Sequence, residues 1–118
     1  MTKEDIKFTL PVDFKYRVKV IRVIDGDSIE IFSDRGRKVY TLDTVRMFGY
    51  DAPEINNTEQ RERGLQAKAR LEELILNQEV YCQTYKDSGD KYGRLLATIV
   101  LPNGKVVNQI MINEGHIK

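Results

Sequence analysis

Three carboxylates and two arginines stand at positions that ordinary structural roles do not ask for: Asp27, Asp51 and Glu54, with Arg46 and Arg94. Asp51 and Glu54 bracket Ala52-Pro53 at the end of the apolar run that starts at Val45. Pro53 biases Ala52 towards extended backbone. That fixes the Ala52 carbonyl between two acids that can face one concavity. A hairpin turn explains Asp25-Gly26. It does not explain Asp27, which opens a strand, where aspartate is disfavoured. Asp27, Asp51 and the Ala52 carbonyl are oxygen donors of the kind a hard cation such as calcium takes, with places left for water and a phosphate. An exposed acidic turn without a ligand fits the segment equally well on its own. The arginines tip the balance. Arg46 lies inside an apolar strand, where a guanidinium needs a partner. Arg94 opens another strand, between Gly93 and Leu95. The two can be plain salt-bridge partners, or two forks for one phosphate, a task arginine performs better than lysine. With a cation they make a phosphoryl-transfer site, in which positive charge neutralises the reacting phosphate and a carboxylate positions water.

Several elements must bring these residues together. Phe14, Tyr16, Val18 and Val20 alternate with Lys15, Arg17 and Lys19, a strand pattern that slips in phase at Ile21 and so predicts a bulge or bend. Asp25-Gly26-Asp27 is a turn, and Ser28 to Phe32 a second strand. After the polar turn at residues 33–37, Lys38 to Gly49 reads as a third strand, with Val39, Leu42, Val45, Met47 and Phe48 as core candidates. Glu54 to Arg63 is a surface loop. Gly64 to Asn77 is helical, with Ala67, Leu71, Leu74 and Ile75 as its apolar stripe. Glu79 to Tyr85 and Arg94 to Leu101 are strands on either side of a charged loop. Val107 to Glu114 is a short helix stopped by Gly115. The expected class is mainly β with helices (α+β): a five-stranded Greek-key barrel of the OB type with an inserted helix and a short C-terminal helix. Residues 14–118 form one domain in this reading, and residues 1–13 a flexible arm.

Length and composition bound the function. The 118 residues, 41% hydrophobic and 31% charged, suit one folded domain with a modest core. A formal net charge of +1 gives no general basic field. Cys82 is the single cysteine, which excludes an internal disulfide and a cysteine-based zinc site and suggests a buried thiol. No apolar run is long enough for a transmembrane helix. Residues 1–13 have no apolar h-region, so no secretory signal is read there and the compartment stays open. His116, the only histidine, reads as a surface or packing residue.

The motifs together resemble the staphylococcal nuclease, or thermonuclease, family: VIDGDSIEI at residues 23–31, VRMFGYDAPE at 45–54, KYGRLLA at 91–97 and NGKVVNQIMINEGHIK at 103–118. They come in the family's order, with the helix between the second and third. The resemblance implies an OB-type barrel and a calcium-dependent phosphodiesterase that acts on DNA and RNA, prefers single strands, breaks the bond to the 5′ oxygen and leaves 3′-phosphate ends. It implies that Asp27, Asp51 and the Ala52 carbonyl hold Ca2+. Glu54 would activate or orient the attacking water, Arg46 and Arg94 would grip the scissile phosphate, and Lys91 and Tyr92 would contact a neighbouring one. No protein partner or membrane is implied, and a monomer is expected. Two features depart from the family's type enzyme. The hairpin between Asp27 and Arg46 is longer, and the match ends at Lys118, before the tyrosines that pack beside the base. Tyr50 and Tyr85 are candidates for that stacking, and equally for packing.

Two other classes compete with an enzyme. A non-catalytic OB-type module would bind nucleic acid or a partner without cutting, but it gains nothing from three acids that repel phosphate in the absence of a metal. A purely structural set of salt bridges would bind neither calcium nor nucleic acid.

Overall fold

The computed structural model describes residues 13–85 and 93–118. The elements run β1 (Asp13–Asp25), β2 (Ser28–Asp34), β3 (Tyr40–Met47), α1 (Arg61–Ile75), β4 (Glu79–Tyr85), β5 (Leu95–Val100) and α2 (Val107–Asn113). The strands close into a barrel in the order β1-β2-β3-β5-β4. This is the expected five-stranded, mainly β fold with two helices. All but one of the strand pairs are antiparallel. The exception, β3 with β5, is parallel, in the register Val45 to Leu95 and Met47 to Ala97.

β1 is long enough to serve two neighbours. Its outer half pairs with β4 from Asp13 to Lys19, and its later half pairs with β2. The register slips between Val20 and Arg22 and again between Val23 and Asp25. These are the irregularities announced by the phase slip at Ile21, and they let one strand turn the barrel's corner. Inward positions of every strand fill the interior, among them Val20, Ile29, Ile31, Val45, Val80 and Ile99. Ala67, Leu71 and Ile75 of α1 and Val107 and Met111 of α2 join the same core.

The sequence pattern misplaced some of the third strand. Val45 and Met47 are buried, but Val39, Leu42 and Phe48 are exposed. Leu42 shares the outward parity of Arg46, Val39 sits in the hairpin turn and Phe48 in the turn after β3, so none of them faces the interior. α1 starts at Arg61, three residues earlier than Gly64, because Arg61-Glu62-Arg63 are good helix formers that read as loop only by their polarity. It ends at Ile75, and Asn77 then takes φ 60°, a left-handed conformation that asparagine tolerates. The Asn77 N–H donates to the Val20 carbonyl, which ties the helix end to β1.

Asn108 of α2 was not singled out by the sequence. It is buried, its Oδ1 accepts from the Ile99 N–H at 2.9 Å, and its Nδ2 donates to the carbonyls of Phe48 and Ala97. One side chain thus joins α2 to β5 and to the turn after β3. No helix among the described residues is long and apolar enough to cross a membrane.

Candidate active site

A cleft of about 320 Å³ opens at one end of the β2–β3 pair, lined by Asp25, Asp27, Arg46, Asp51, Ala52, Pro53, Glu54, Arg94 and Lys118. Asp27, Arg46, Asp51, Ala52, Glu54 and Arg94 therefore share one concavity, as the sequence reading expected. Lys91 and Tyr92 lie outside the described residues. Tyr50 does not enter the cleft as a stacking ring: it is buried, and its hydroxyl donates to the Gly26 carbonyl at 2.8 Å. Burial, then the nearby Asp27 carboxylate, raises its phenol well above the usual range, which keeps it a neutral donor. Tyr85 contributes no described side chain. His116 lies away from the cleft, 3.5 Å from Glu114, whose carboxylate takes a bidentate pair of hydrogen bonds from Arg70.

Barrel register assembles the cleft. Ser28 pairs with Arg46 across β2 and β3, which brings the start of one strand to the end of the other. The Met47 N–H donates to the Asp27 carbonyl at 2.8 Å, and the Ala52 N–H donates to Asp27 Oδ2 at 2.8 Å. The Asp27 side chain thus fastens the segment after β3 to the segment before β2. The parallel pairing of β5 with β3 then delivers Arg94, whose Nη1 lies 3.2 Å from Ser28 Oγ.

Two glycines permit the close approach. A Cβ on Gly26 would stand 2.6 Å from the Cβ of Ala67 and 2.8 Å from that of Ala52. Gly26 is therefore required by packing against α1 and the acidic turn, and not by a turn conformation alone. A Cβ on Gly64 would meet the Pro53 carbonyl at 2.8 Å. The first turn of α1 lies directly under the Pro53–Glu54 backbone, and the Gln60 side chain accepts from the Glu54 N–H at 3.0 Å.

Arg46 is held from several sides. Arg46 Nη1 donates to the carbonyls of Met47 and Tyr50, each at 2.9 Å, and lies 3.2 Å from Asp27 Oδ2. Its Nη2 pairs with Asp51 Oδ1. Arg46 therefore braces the loop after β3 as well as facing the cleft, so the salt-bridge reading describes part of its role. The carboxylates differ too. The Asp27 side chain is only 13% exposed, and that of Asp51 is 73% exposed. Burial, with the neighbouring Asp25 carboxyl, pushes Asp27 up to about 6, against the opposing pull of the Ala52 N–H and Arg46.

The donor chemistry fits a hard cation. Every candidate donor in the cleft is oxygen, from the Asp27, Asp51 and Asp25 side chains and the Ala52 carbonyl. Among the described residues no three His, Cys, Asp or Glu side chains are grouped closely enough to hold an ion by themselves. The main-chain carbonyl and water would have to complete the shell.

Two cleft residues escaped the sequence reading. Asp25 was assigned to the turn, and its closeness to Asp27 is legible in the Asp-Gly-Asp spacing. Lys118 had no signal. Its N–H donates to the Asp51 carbonyl at 2.7 Å, and its Nζ lies 3.0 Å from Glu54 Oε1. This pairing raises the Lys118 ammonium above its ordinary range, the hydrogen bond to Glu54 being the main cause.

The family model described as staphylococcal nuclease homologue matches residues 44–117. A micrococcal nuclease of Shigella flexneri is 33% identical over 115 residues, covering 91% of this chain and 60% of that protein. A thermonuclease of Staphylococcus hyicus is 35% identical over 99 residues, covering 82% of this chain and 55% of the relative. The endonuclease YncB of Bacillus subtilis is 37% identical over 101 residues, covering 83% and 45%. The chain thus spans about half the length of the curated relatives it matches. The match to the family model runs from the middle of β3 through α2, and with it the chain belongs to the staphylococcal nuclease family.

Proposed function

We propose that the chain is a calcium-dependent endonuclease, a phosphodiesterase that hydrolyses DNA and RNA, prefers single strands and leaves 3′-phosphate ends. The observation that carries this reading is the convergence of Asp27, Arg46, Asp51, Glu54 and Arg94 on one cleft from three parts of the chain. In this reading Asp27, Asp51 and the Ala52 carbonyl hold Ca2+, which when bound supplies charge neutralisation at the phosphate.

The chain's own groups do the rest. Arg94 presents its guanidinium to the phosphate from the start of β5. Arg46 does so from the end of β3, exchanging its Asp51 contact at Nη2 for a phosphate oxygen while Nη1 stays on the Met47 and Tyr50 carbonyls. Two guanidinium groups stabilise the charge that grows on the equatorial oxygens as water attacks phosphorus. Glu54 orients that water and accepts its proton. Lys118 holds Oε1 of Glu54 and so limits the carboxylate's rotation. The P–O5′ bond breaks, and the 5′ hydroxyl leaves with a proton from solvent. Lys91 and Tyr92 would contact the next phosphate. The chain is expected to act as a monomer.

The test is digestion of denatured DNA and of RNA, with calcium or with chelator, beside Glu54→Gln and Arg94→Ala. Each variant is expected to lose about 10²–10⁴ in kcat. Intact single strands after incubation of wild-type protein with calcium would refute the reading. Tight oligonucleotide binding without cleavage, indifferent to chelator, would establish the binding-module alternative instead.

A further inference from the structure

The β2–β3 hairpin carries a surface that the cleft does not use. Tyr40 and Leu42 are 57% and 64% exposed. They share the outward parity of β3 with Thr44 and Arg46, so one row of side chains runs from the hairpin tip to the cleft. Leu42 stands opposite Phe32 on β2, and the Phe32 and Tyr40 rings stack with centroids 5.5 Å apart and planes 18° apart. On the far side of Phe32, β1 places Lys19 directly opposite, with Arg17 at the next outward position.

The tip is unusual. The Val39 N–H donates to the Gly36 carbonyl at 3.0 Å, and the two residues between them, Arg37 and Lys38, have φ 54° and 63°. Such a turn ordinarily takes Asn-Gly, because both central residues are left-handed. Here it presents two long cations at a cost in backbone strain.

The charges on this face are not all positive. Glu30 stands opposite Arg22, Glu79 opposite Lys19, and Asp34 accepts the Gly36 N–H within the turn. Arg17, Arg37 and Lys38 leave the balance cationic. Flat apolar rings beside an excess of cations match the chemistry of a single-stranded polynucleotide, whose bases stack and whose phosphates pair.

We propose that the outer face of the β2–β3 hairpin is an accessory binding site for the substrate strand, away from the scissile bond. Bases rest on Tyr40, Leu42 and Phe32, while Arg17, Arg37 and Lys38 take phosphates. This deepens the nuclease reading and rests on it for the identity of the strand. The row from Tyr40 to Arg46 spans about 20 Å at the rise of a β-strand. At about 3.4 Å per stacked nucleotide that is roughly six nucleotides, within the roughly 4–16 that an OB fold covers.

The experiment compares Tyr40→Ala/Leu42→Ser and Arg37→Glu/Lys38→Glu with wild type and with Arg37→Lys/Lys38→Arg. Binding of a fluorescein-labelled oligothymidylate of about 16 nucleotides is read by anisotropy in chelator, and hydrolysis of that strand and of a dinucleotide in calcium. The first two variants should bind the long strand about 5- to 100-fold more weakly, one through lost stacking and the other through lost phosphate contacts. Their KM for the long strand should rise accordingly, with kcat and dinucleotide hydrolysis unchanged, and the charge-conserving variant should behave as wild type. Unaltered binding and KM in both variants overturn the proposal. So does sedimentation showing a wild-type dimer that the Tyr40→Ala/Leu42→Ser variant dissociates, which would make the face an interface between copies. A wild type that binds the long strand through the hairpin but cleaves nothing would sink the nuclease reading and leave this site standing. Cleavage with indifferent hairpin variants would do the reverse.

Discussion

Asp27→Asn should make the protein more stable and inactive. Asp27 is 13% exposed, and burial with the Asp25 carboxyl lifts its acid from 3.8 to about 6. Ionising it inside the fold therefore costs more than ionising it in the unfolded chain. At about 1.4 kcal/mol per unit, the shift of roughly 2 units amounts to about 3 kcal/mol. The sign follows from the raised value. The stabilising contribution of the protonated acid is complete below about 3.8 and is lost as pH rises through about 6. An asparagine keeps the neutral form at every pH, and its Oδ1 can still accept the Ala52 N–H. Arg46 loses one contact but retains the Met47 and Tyr50 carbonyls and Asp51. Allowing for that loss, the variant should be about 2 kcal/mol more stable at pH 8. Urea unfolding in chelator measures this across a pH series, and the gap should close as pH falls towards 4. Added calcium should raise the midpoint of wild type and leave the variant unmoved. A variant less stable than wild type at pH 8, or a gap indifferent to pH, would refute the reasoning that burial of the Asp27 carboxylate is what raises its pKa.

Asn108→Ala should cost about 3 kcal/mol, because the Ile99 N–H and the Phe48 and Ala97 carbonyls lose their shared partner; a change of less than about 1 kcal/mol in urea unfolding would show that water replaces the amide. Gly26→Ala should cost about 1–3 kcal/mol, since its Cβ would press on Ala52 and Ala67, and should lower activity by shifting the acidic turn. An alanine variant with wild-type stability and rate would mean that α1 yields freely there. Burial pushes the Cys82 thiol up to about 12, so a thiol reagent at pH 8 should label the native protein only as fast as it opens. Rapid stoichiometric labelling without denaturant would contradict the buried placement.

Much of the barrel was legible along the chain. Alternation at Phe14 to Val20 and its slip at Ile21 announced a bent strand, and β1 does slip in register there. The periodicity of Ala67, Leu71 and Ile75 announced the buried stripe of α1. These signals are local, because a strand repeats every two residues and a helix every three or four. The misreadings arose where local rules do not decide the face. Leu42 and Phe48 are apolar residues on an outward row and a turn, and Asn108 is a polar residue turned inward because three backbone groups await it there.

The candidate site divides in the same way. Residue type and spacing singled out Asp27, Arg46, Asp51, Ala52, Glu54 and Arg94 as candidates, because an acid at a strand start and an arginine inside an apolar run oppose local preference. How they meet was decided by barrel closure. The parallel β3–β5 pairing carries Arg94 to Ser28, and Lys118 reaches Glu54 across 64 residues of sequence. Tyr50, open to either role in the sequence, became a buried brace on Gly26, and Arg46 became a clamp on its own loop. A sequence can show which side chains are out of place for their neighbours in the chain. Which distant groups they are in place for depends on register and closure, and those are settled only when all the strands pack at once.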